Sequence, residues 1–99
     1  MSLNIEKEIN DAVTLKLSGR LDTTTAPQLE SALDEALPEA SDMVFDLDGL
    51  EYVSSAGLRV ILKAQKAMNA KGTLKIKNVS ESVMEVFDIT GFSDILTFA

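Results

Sequence analysis

Two adjacent serines, Ser54 and Ser55, stand where an amphipathic helix is predicted to begin, just before Ala56-Gly57-Leu58. Serine is preferred at a helix N-terminus, because its hydroxyl accepts a hydrogen bond from a free backbone N–H group. Only one of the two can fill that position. The other would suit phosphorylation, because the N–H groups and dipole of the helix stabilise a dianion. The small residues that follow indicate a bare surface, on which a partner could approach the hydroxyl closely.

The rest of the sequence argues against a catalytic role for either serine. The chain has no His and no Cys, which excludes an imidazole base, a thiolate nucleophile and metal sites built on those residues. No Lys stands at the Ser-x-x-Lys spacing of Ser–Lys enzymes. We therefore expect no catalytic residue, no enzyme activity, no metal and no cofactor. A phosphate on one serine would instead present a charge of about -2 to a partner, which favours a binding switch.

Four carboxylates lie near predicted strand ends and offer a second kind of chemistry. They are Asp22, Asp46, Asp48 and Glu51. Paired acids hydrolyse glycosidic bonds, but a domain of this length has little room for a sugar-sized cleft, so we interpret them as solvated loop residues. Asp46-x-Asp48-Gly49 also resembles a calcium loop. An EF-hand needs Gly at its sixth position and Glu at its twelfth, and this chain has neither there.

Length and charge limit the classes of function. The chain has 99 residues and a formal net charge of -7, and we assign residues 1–99 to a single domain. Nucleic acids and anionic membranes attract basic surfaces, so we expect neither direct nucleic-acid binding nor membrane insertion. The apolar runs are far shorter than the ~20 residues that span a bilayer, and no signal peptide is recognisable. We expect a cytoplasmic protein.

Hydrophobic periodicity predicts the elements that position the serines. A hairpin of two alternating strands comes first, and the following strands are predicted over 43–47, 73–77 and 95–98, with a loop over 48–53. The strand over 43–47 is nearly continuously apolar, which predicts a central strand covered on both sides or nearly so. Helices alternate with these strands. The order predicts an α/β fold with a mixed, mostly parallel sheet of about five strands and about three helices.

Local signals predict the ends of the helices. Thr25 and Gln28 have the spacing of a capping box at the start of the first helix. Ser80 or Ser82 is predicted to cap the third helix, and Gly91 to end it.

The segment from Asp46 to Leu58 resembles the strand–loop–helix motif of the STAS domain family, in particular the bacterial anti-sigma factor antagonists. The segment reads Asp46-Leu47-Asp48-Gly49-Leu50-Glu51-Tyr52-Val53-Ser54-Ser55-Ala56-Gly57-Leu58, with Gly19-Arg20-Leu21-Asp22 upstream. The apolar spacing, the serine and the Gly-Leu pair must all coincide, so the motif is more specific than a lone Gly-rich loop. The likeness extends over essentially the whole chain.

The resemblance implies a STAS-like domain whose helices pack mainly on one side of the sheet. It implies a protein that binds an anti-sigma factor, itself a serine kinase, and so frees a sigma factor for transcription. The kinase modifies the serine two residues before the motif Gly, which is Ser55, and a serine phosphatase reverses the reaction. The implied partner-binding residues are Asp22, Thr23, Thr24, Ser54, Ser55, Ala56, Gly57, Leu58 and Arg59.

Departures from the family pattern keep an alternative open. The residue before the acceptor is commonly Asp and here is Ser54, which makes Ser54 a second candidate for phosphorylation. Ala56 stands where many members have Ser or Thr, and many members add a final helix beyond the position of Ala99. The differences at Ser54 and Ala56 favour a STAS scaffold that is not phosphorylated, such as a subunit of a transporter or of a signalling complex.

Charge is distributed unevenly along the chain. Residues 1–50 carry three bases and eleven acids, whereas residues 51–99 carry six bases and five acids. The solvent side of the first helix is acidic, and Arg59, Lys63 and Lys66 recur on the solvent side of the second. We hypothesise a split surface, acidic on one helix and basic on the other, for docking on a partner.

Overall fold

A computed structural model describes residues 2–99. The strands are β1 (Leu3–Ile9), β2 (Val13–Leu21), β3 (Asp42–Val53) and β4 (Thr73–Lys77), and the α-helices are α1 (Ala26–Ala36), α2 (Ser55–Asn69) and α3 (Glu81–Thr90). Single 3₁₀ turns cover Leu37–Glu39 and Phe92–Asp94. The strands lie in the order β1-β2-β3-β4, with β1 antiparallel to β2 and the other two pairs parallel. The predicted α/β class, the opening hairpin and the mixed, mostly parallel sheet are confirmed.

The core lies between one face of this sheet and the three helices. Leu15 on β2 pairs with Phe45 on β3, and Phe45 pairs with Ile76 on β4, so their buried side chains share that face. The buried residues of the helices join the same cluster, among them Leu29, Leu33, Ile61, Met68, Val83 and Phe87. Each large apolar side chain buried there stabilises the fold by about 1.5–3 kcal/mol. Helices on one side of the sheet are therefore confirmed.

The opposite face of the sheet is polar. Strand register places Glu6 beside Lys16, Lys16 beside Asp46, and Asp46 beside Lys77, so charge alternates across all four strands. Val44 on this face is only half-buried. The prediction that strand 43–47 is covered on both sides or nearly so is wrong. Within residues 2–99, the helices that contribute to the core all pack on the apolar face.

The predicted loop over 48–53 is also wrong, because β3 continues to Val53. The pairing of β2 with β3 shifts register twice, between Lys16 and Ser18 and between Gly19 and Arg20, which accommodates extra residues on β3. Gly49 pairs with Ser18 there, and a Cβ on Gly49 would lie 2.6 Å from Ser18 Cβ. The Asp-x-Asp-Gly run is therefore a bulged strand with close backbone approach, and not a loop.

The sheet of residues 2–99 has four strands, whereas about five were predicted. The predicted strand over 95–98 is reduced to a single parallel bridge between Phe98 and Ile76. A 3₁₀ turn at Phe92–Asp94 occupies the approach to this segment, and Leu96 is buried. No helix within residues 2–99 combines the length and apolarity needed to cross a bilayer.

Candidate functional site

The carboxyl ends of β2 and β3 meet at one edge of the sheet and bring two predicted segments together. Leu21 pairs with Val53, and the backbone N–H of Ser54 donates to the carbonyl oxygen of Leu21 at 2.8 Å. The turn that begins at Asp22 therefore lies beside the start of α2. Because parallel strands end at the same edge, residues distant in sequence form one surface here.

The two serines have different roles in the structure. Ser54 is the N-cap of α2, and its hydroxyl accepts a hydrogen bond from the backbone N–H of Gly57 at 3.3 Å. Ser54 is half-buried. Ser55 is the first residue of α2 and is exposed, and its hydroxyl makes no hydrogen bond to any other residue of 2–99. The structure thus assigns the cap to Ser54 and leaves the hydroxyl of Ser55 open to solvent.

Asp22 organises the turn between β2 and α1. Its Oδ1 accepts hydrogen bonds from the Thr24 hydroxyl at 2.8 Å, from the Thr24 N–H at 3.0 Å and from the Thr25 N–H at 3.1 Å. These donors, with the Thr24 hydroxyl foremost, lower the pKa of the Asp22 carboxyl below its ordinary value. The carboxylate therefore fixes the entry to α1, with Thr24 and its neighbour Thr23 left exposed.

The capping box predicted for Thr25 and Gln28 is wrong. Thr25 occupies the N-cap position of α1, but its buried hydroxyl donates to the carbonyl oxygen of Arg20 at 2.9 Å and accepts from the Asp22 N–H at 2.8 Å. The Gln28 amide donates to the carbonyl oxygen of Leu3. Thr25 thereby ties α1 to the end of β2, a role that sequence spacing did not reveal because both partners precede the helix.

Gly57 and Leu58 lie on the inner side of α2, and both are buried. A Cβ on Gly57 would lie 2.5 Å from Leu21 Cγ and 3.1 Å from Val53 Cγ2. The glycine therefore lets the first turn of α2 sit directly on the strand ends. Its interpretation as bare surface is wrong, because the missing side chain faces the core. Ala56 is half-buried and faces the neighbouring helix instead.

A shallow cleft of about 270 Å³ separates α1 from α2 beside Ser55. It is lined by Thr23, Ala26, Pro27, Glu30, Ala56, Arg59, Val60 and Lys63. The predicted partner-binding residues Thr23, Ala56 and Arg59 thus meet in one place. Asp22, Thr24, Ser54, Ser55, Gly57 and Leu58 are absent from its lining.

Lys63 crosses this cleft and joins the two helices. Its Nζ lies 2.9 Å from Glu30 Oε2 and 3.2 Å from Asp34 Oδ1. The hydrogen bonds that Lys63 donates to Glu30, which has the larger effect, and to Asp34 raise the pKa of Lys63 above its ordinary value. The hypothesised split surface is corrected here, because the acidic side of α1 and the basic side of α2 face one another and are partly neutralised.

Arg59 differs from Lys63 on the same helix. It is exposed, and no carboxylate of residues 2–99 lies within 4.0 Å of its side-chain nitrogens. Its charge is therefore available at the mouth of the cleft. Within the same span of chain, no three acidic side chains converge as a metal site would require.

Comparison with known proteins gives a consistent result. The model of the STAS domain family matches residues 4–99. The Anti-sigma-B factor antagonist of Bacillus subtilis is 31% identical over 98 residues, covering 97% of this chain and 90% of that protein. The protein of the same name from Staphylococcus epidermidis is 36% identical over 99 residues, covering 97% of this chain and 92% of that protein.

Solved structures share the fold at lower identity. An anti-sigma factor antagonist from Mycobacterium paratuberculosis superposes with a TM-score of 0.90 at 21% identity, covering 98% of this chain and 85% of that one. The unphosphorylated form of the anti-sigma factor antagonist SpoIIAA superposes with a TM-score of 0.79 at 21% identity, covering 99% and 88%.

Proposed function

Because the chain belongs to the STAS domain family, we propose that it works as an anti-sigma factor antagonist. It binds an anti-sigma factor that has serine kinase activity, and phosphorylation at Ser55 switches this binding off, which regulates sigma-dependent transcription in the cytoplasm. A serine phosphatase restores the active form. The observation that supports this proposal most is the exposed hydroxyl of Ser55, the first residue of α2, which makes no hydrogen bond within residues 2–99.

The environments of the two serines favour Ser55 as the acceptor. A kinase needs a hydroxyl that can enter its site and approach the γ-phosphorus of ATP in line. Ser55 meets that need, whereas the Ser54 hydroxyl is half-buried and holds the N–H of Gly57. Transfer forms a bond from Ser55 Oγ to phosphorus and releases ADP, and the hydroxyl proton passes to a base on the kinase.

The partner surface of this proposal surrounds Ser55. The exposed side chains of Thr23, Thr24 and Arg59 contact the anti-sigma factor, together with Ala56 in the cleft. Asp22 acts by fixing the turn that carries Thr23 and Thr24. The remaining predicted residues, Ser54, Gly57 and Leu58, hold the first turn of α2 in place and act on the partner only through its position.

Phosphorylation changes this surface without requiring a change of fold. The N-terminus of α2 accommodates a dianion through its free N–H groups and dipole. A partner packed over the same turn would bury a new charge of about -2 against its own surface, which is costly unless that charge is paired. The phosphate therefore weakens binding while the domain stays folded.

The decisive experiment combines ATP, the cognate anti-sigma factor and intact-mass measurement. We expect one phosphoryl group on the unmodified chain and none on Ser55→Ala. Ser54→Asp is the matched control, because aspartate also caps helices well but offers no hydroxyl, and it should be phosphorylated fully. Unchanged phosphorylation of Ser55→Ala would contradict the assignment.

Binding separates this function from its alternative. Ser55→Asp should weaken capture of the anti-sigma factor at least tenfold, whereas Ser54→Asp should leave it unchanged. The alternative is a STAS scaffold in a transporter or signalling complex. It is favoured by the serine at position 54, where the family commonly has aspartate. A scaffold would bind its partner equally well with either substitution.

A further inference from the structure

The charge of Arg59 has no ion-pair partner within residues 2–99. On the same side of α2, Lys63 is held by Glu30 and Asp34, so its charge is already paired. Arg20 is stacked on Tyr52, with its guanidinium carbon 4.2 Å from the ring centroid. Arg59 has no such partner within residues 2–99.

The position of Arg59 relates it to Ser55. Residues four apart on a helix are neighbours, with Cβ atoms about 6 Å apart. Helical side chains lean toward the N-terminus of their helix, so a long side chain at position 59 covers the turn that begins at Ser55. Both residues are exposed, so a phosphate on Ser55 and the guanidinium of Arg59 are both open to solvent.

We propose that Arg59 is the residue that pairs with the phosphate when Ser55 is phosphorylated. The inference rests on the proposed function and deepens it, since it concerns the modified form of the same site. A guanidinium binds two phosphate oxygens at once through parallel N–H donors, a geometry that an ammonium lacks. Asp22 in the turn before α1, Glu30 in the cleft lining and Glu51 near the end of β3 carry negative charge and would act against a phosphate by repulsion.

This pairing would weaken partner binding in two ways. Before phosphorylation, Arg59 lines the cleft and offers a cation to the partner. After phosphorylation, the guanidinium turns back over the first turn of α2 and is withdrawn from the cleft. The partner then meets an added anion and also loses a cation. Lys63 cannot substitute, because Glu30 and Asp34 hold it on the other side of the cleft.

The test measures the phosphate directly and needs no kinase or partner. Phosphoserine is incorporated at position 55 during translation, and the phosphate is titrated by ³¹P NMR. An unpaired phosphoserine has a second pKa of about 6. Pairing with Arg59 lowers this pKa, and we expect Arg59→Ala to raise it by about half a unit. Arg59→Lys should recover part of the shift.

Two control variants make the result specific. Lys66 is eleven residues from Ser55, roughly 16 Å along the helix axis, so Lys66→Ala should leave the titration unchanged. Arg20→Ala should also leave it unchanged. Equal titration curves for Arg59→Ala and the parent, or a larger shift in either control, would overturn the proposal. Because the phosphate is placed without a kinase, this result is independent of whether a kinase modifies Ser55.

Discussion

Gly57 packs against Leu21 so closely that a Cβ on the glycine would lie 2.5 Å from Leu21 Cγ. Leu21 is the last residue of β2 and is fully buried. The contact therefore seats the first turn of α2 on the end of β2. The height of Ser54 and Ser55 above the sheet follows from this contact and from the hydrogen bond that Ser54 donates to Leu21.

We expect Gly57→Ala to destabilise the fold by about 1–3 kcal/mol, because the new methyl group overpacks a dense region. Urea unfolding of the parent and the variant measures the loss. Leu21→Ala alone should cost about 2–5 kcal/mol. The double variant should lose less free energy of unfolding than the sum of the two single losses, since the methyl group added at position 57 would occupy space vacated by the leucine side chain. Strict additivity would show that the two residues do not contact one another in this way.

The two serines should differ in their effect on stability. Ser54→Ala removes the helix cap and should lower the free energy of unfolding by about 1 kcal/mol. Ser55→Ala removes an exposed hydroxyl that has no hydrogen-bond partner in the described part of the chain, and it should change this free energy by less than about 0.5 kcal/mol. Ser54→Asp should restore the stability lost in Ser54→Ala. Equal losses at both positions would contradict the assignment of the cap to Ser54.

The turn at Asp22 should make stability depend on pH at the acid end. The pKa of Asp22 is lower in the folded chain than in the unfolded one, whose ordinary value is 3.8. The ionised form therefore stabilises the fold above that value, and this contribution is lost as the pH falls through the lowered pKa. Asp22→Asn should be less stable than the parent near pH 7, and the difference should shrink below about pH 4.

Urea unfolding at several pH values tests this dependence. Glu51→Gln is the control, because Glu51 is an exposed acid on β3 with no hydrogen bond to the Asp22 turn. A stability gap for Asp22→Asn that stays constant from pH 7 to pH 3 would show that the carboxylate does not act through its charge.

The sequence predicted the elements whose signal is local. Alternating residues located the hairpin, and Gly91 was correctly placed at the end of α3, where it adopts φ 81°. Of the two serines predicted as the cap of α3, Ser80 and Ser82, the structure has Ser80, which accepts from the Val83 N–H. Each of these signals depends on residues within one turn or one strand. The motif around Ser55 likewise located the start of α2 from contiguous residues.

The features that sequence reasoning missed are set by contacts between distant residues. Gly49 was placed in a predicted loop over 48–53, because nothing local shows that Ser18 packs against it. Gln28 looked like part of a cap, but its amide reaches Leu3, which is 25 residues away. From the sequence, Lys63 was interpreted as a surface charge on the solvent side of the second helix. In the structure it pairs with Glu30 and Asp34 of α1. In each case, the partner lies on another element, and only the packing of elements brings the two together.

Lys63 should stabilise the contact between α1 and α2 in a salt-dependent manner. We expect Lys63→Ala to lower the midpoint of thermal unfolding at low ionic strength, because Glu30 and Asp34 lose their shared cation and then repel one another. Lys66→Ala is the matched control on the same helix, since Lys66 has no ion pair within residues 2–99. At 1 M salt, where the screening length falls to about 3 Å, the two variants should unfold at similar temperatures. A deficit of Lys63→Ala that persists in 1 M salt would mean that its alkyl chain, and not its charge, holds the helices together.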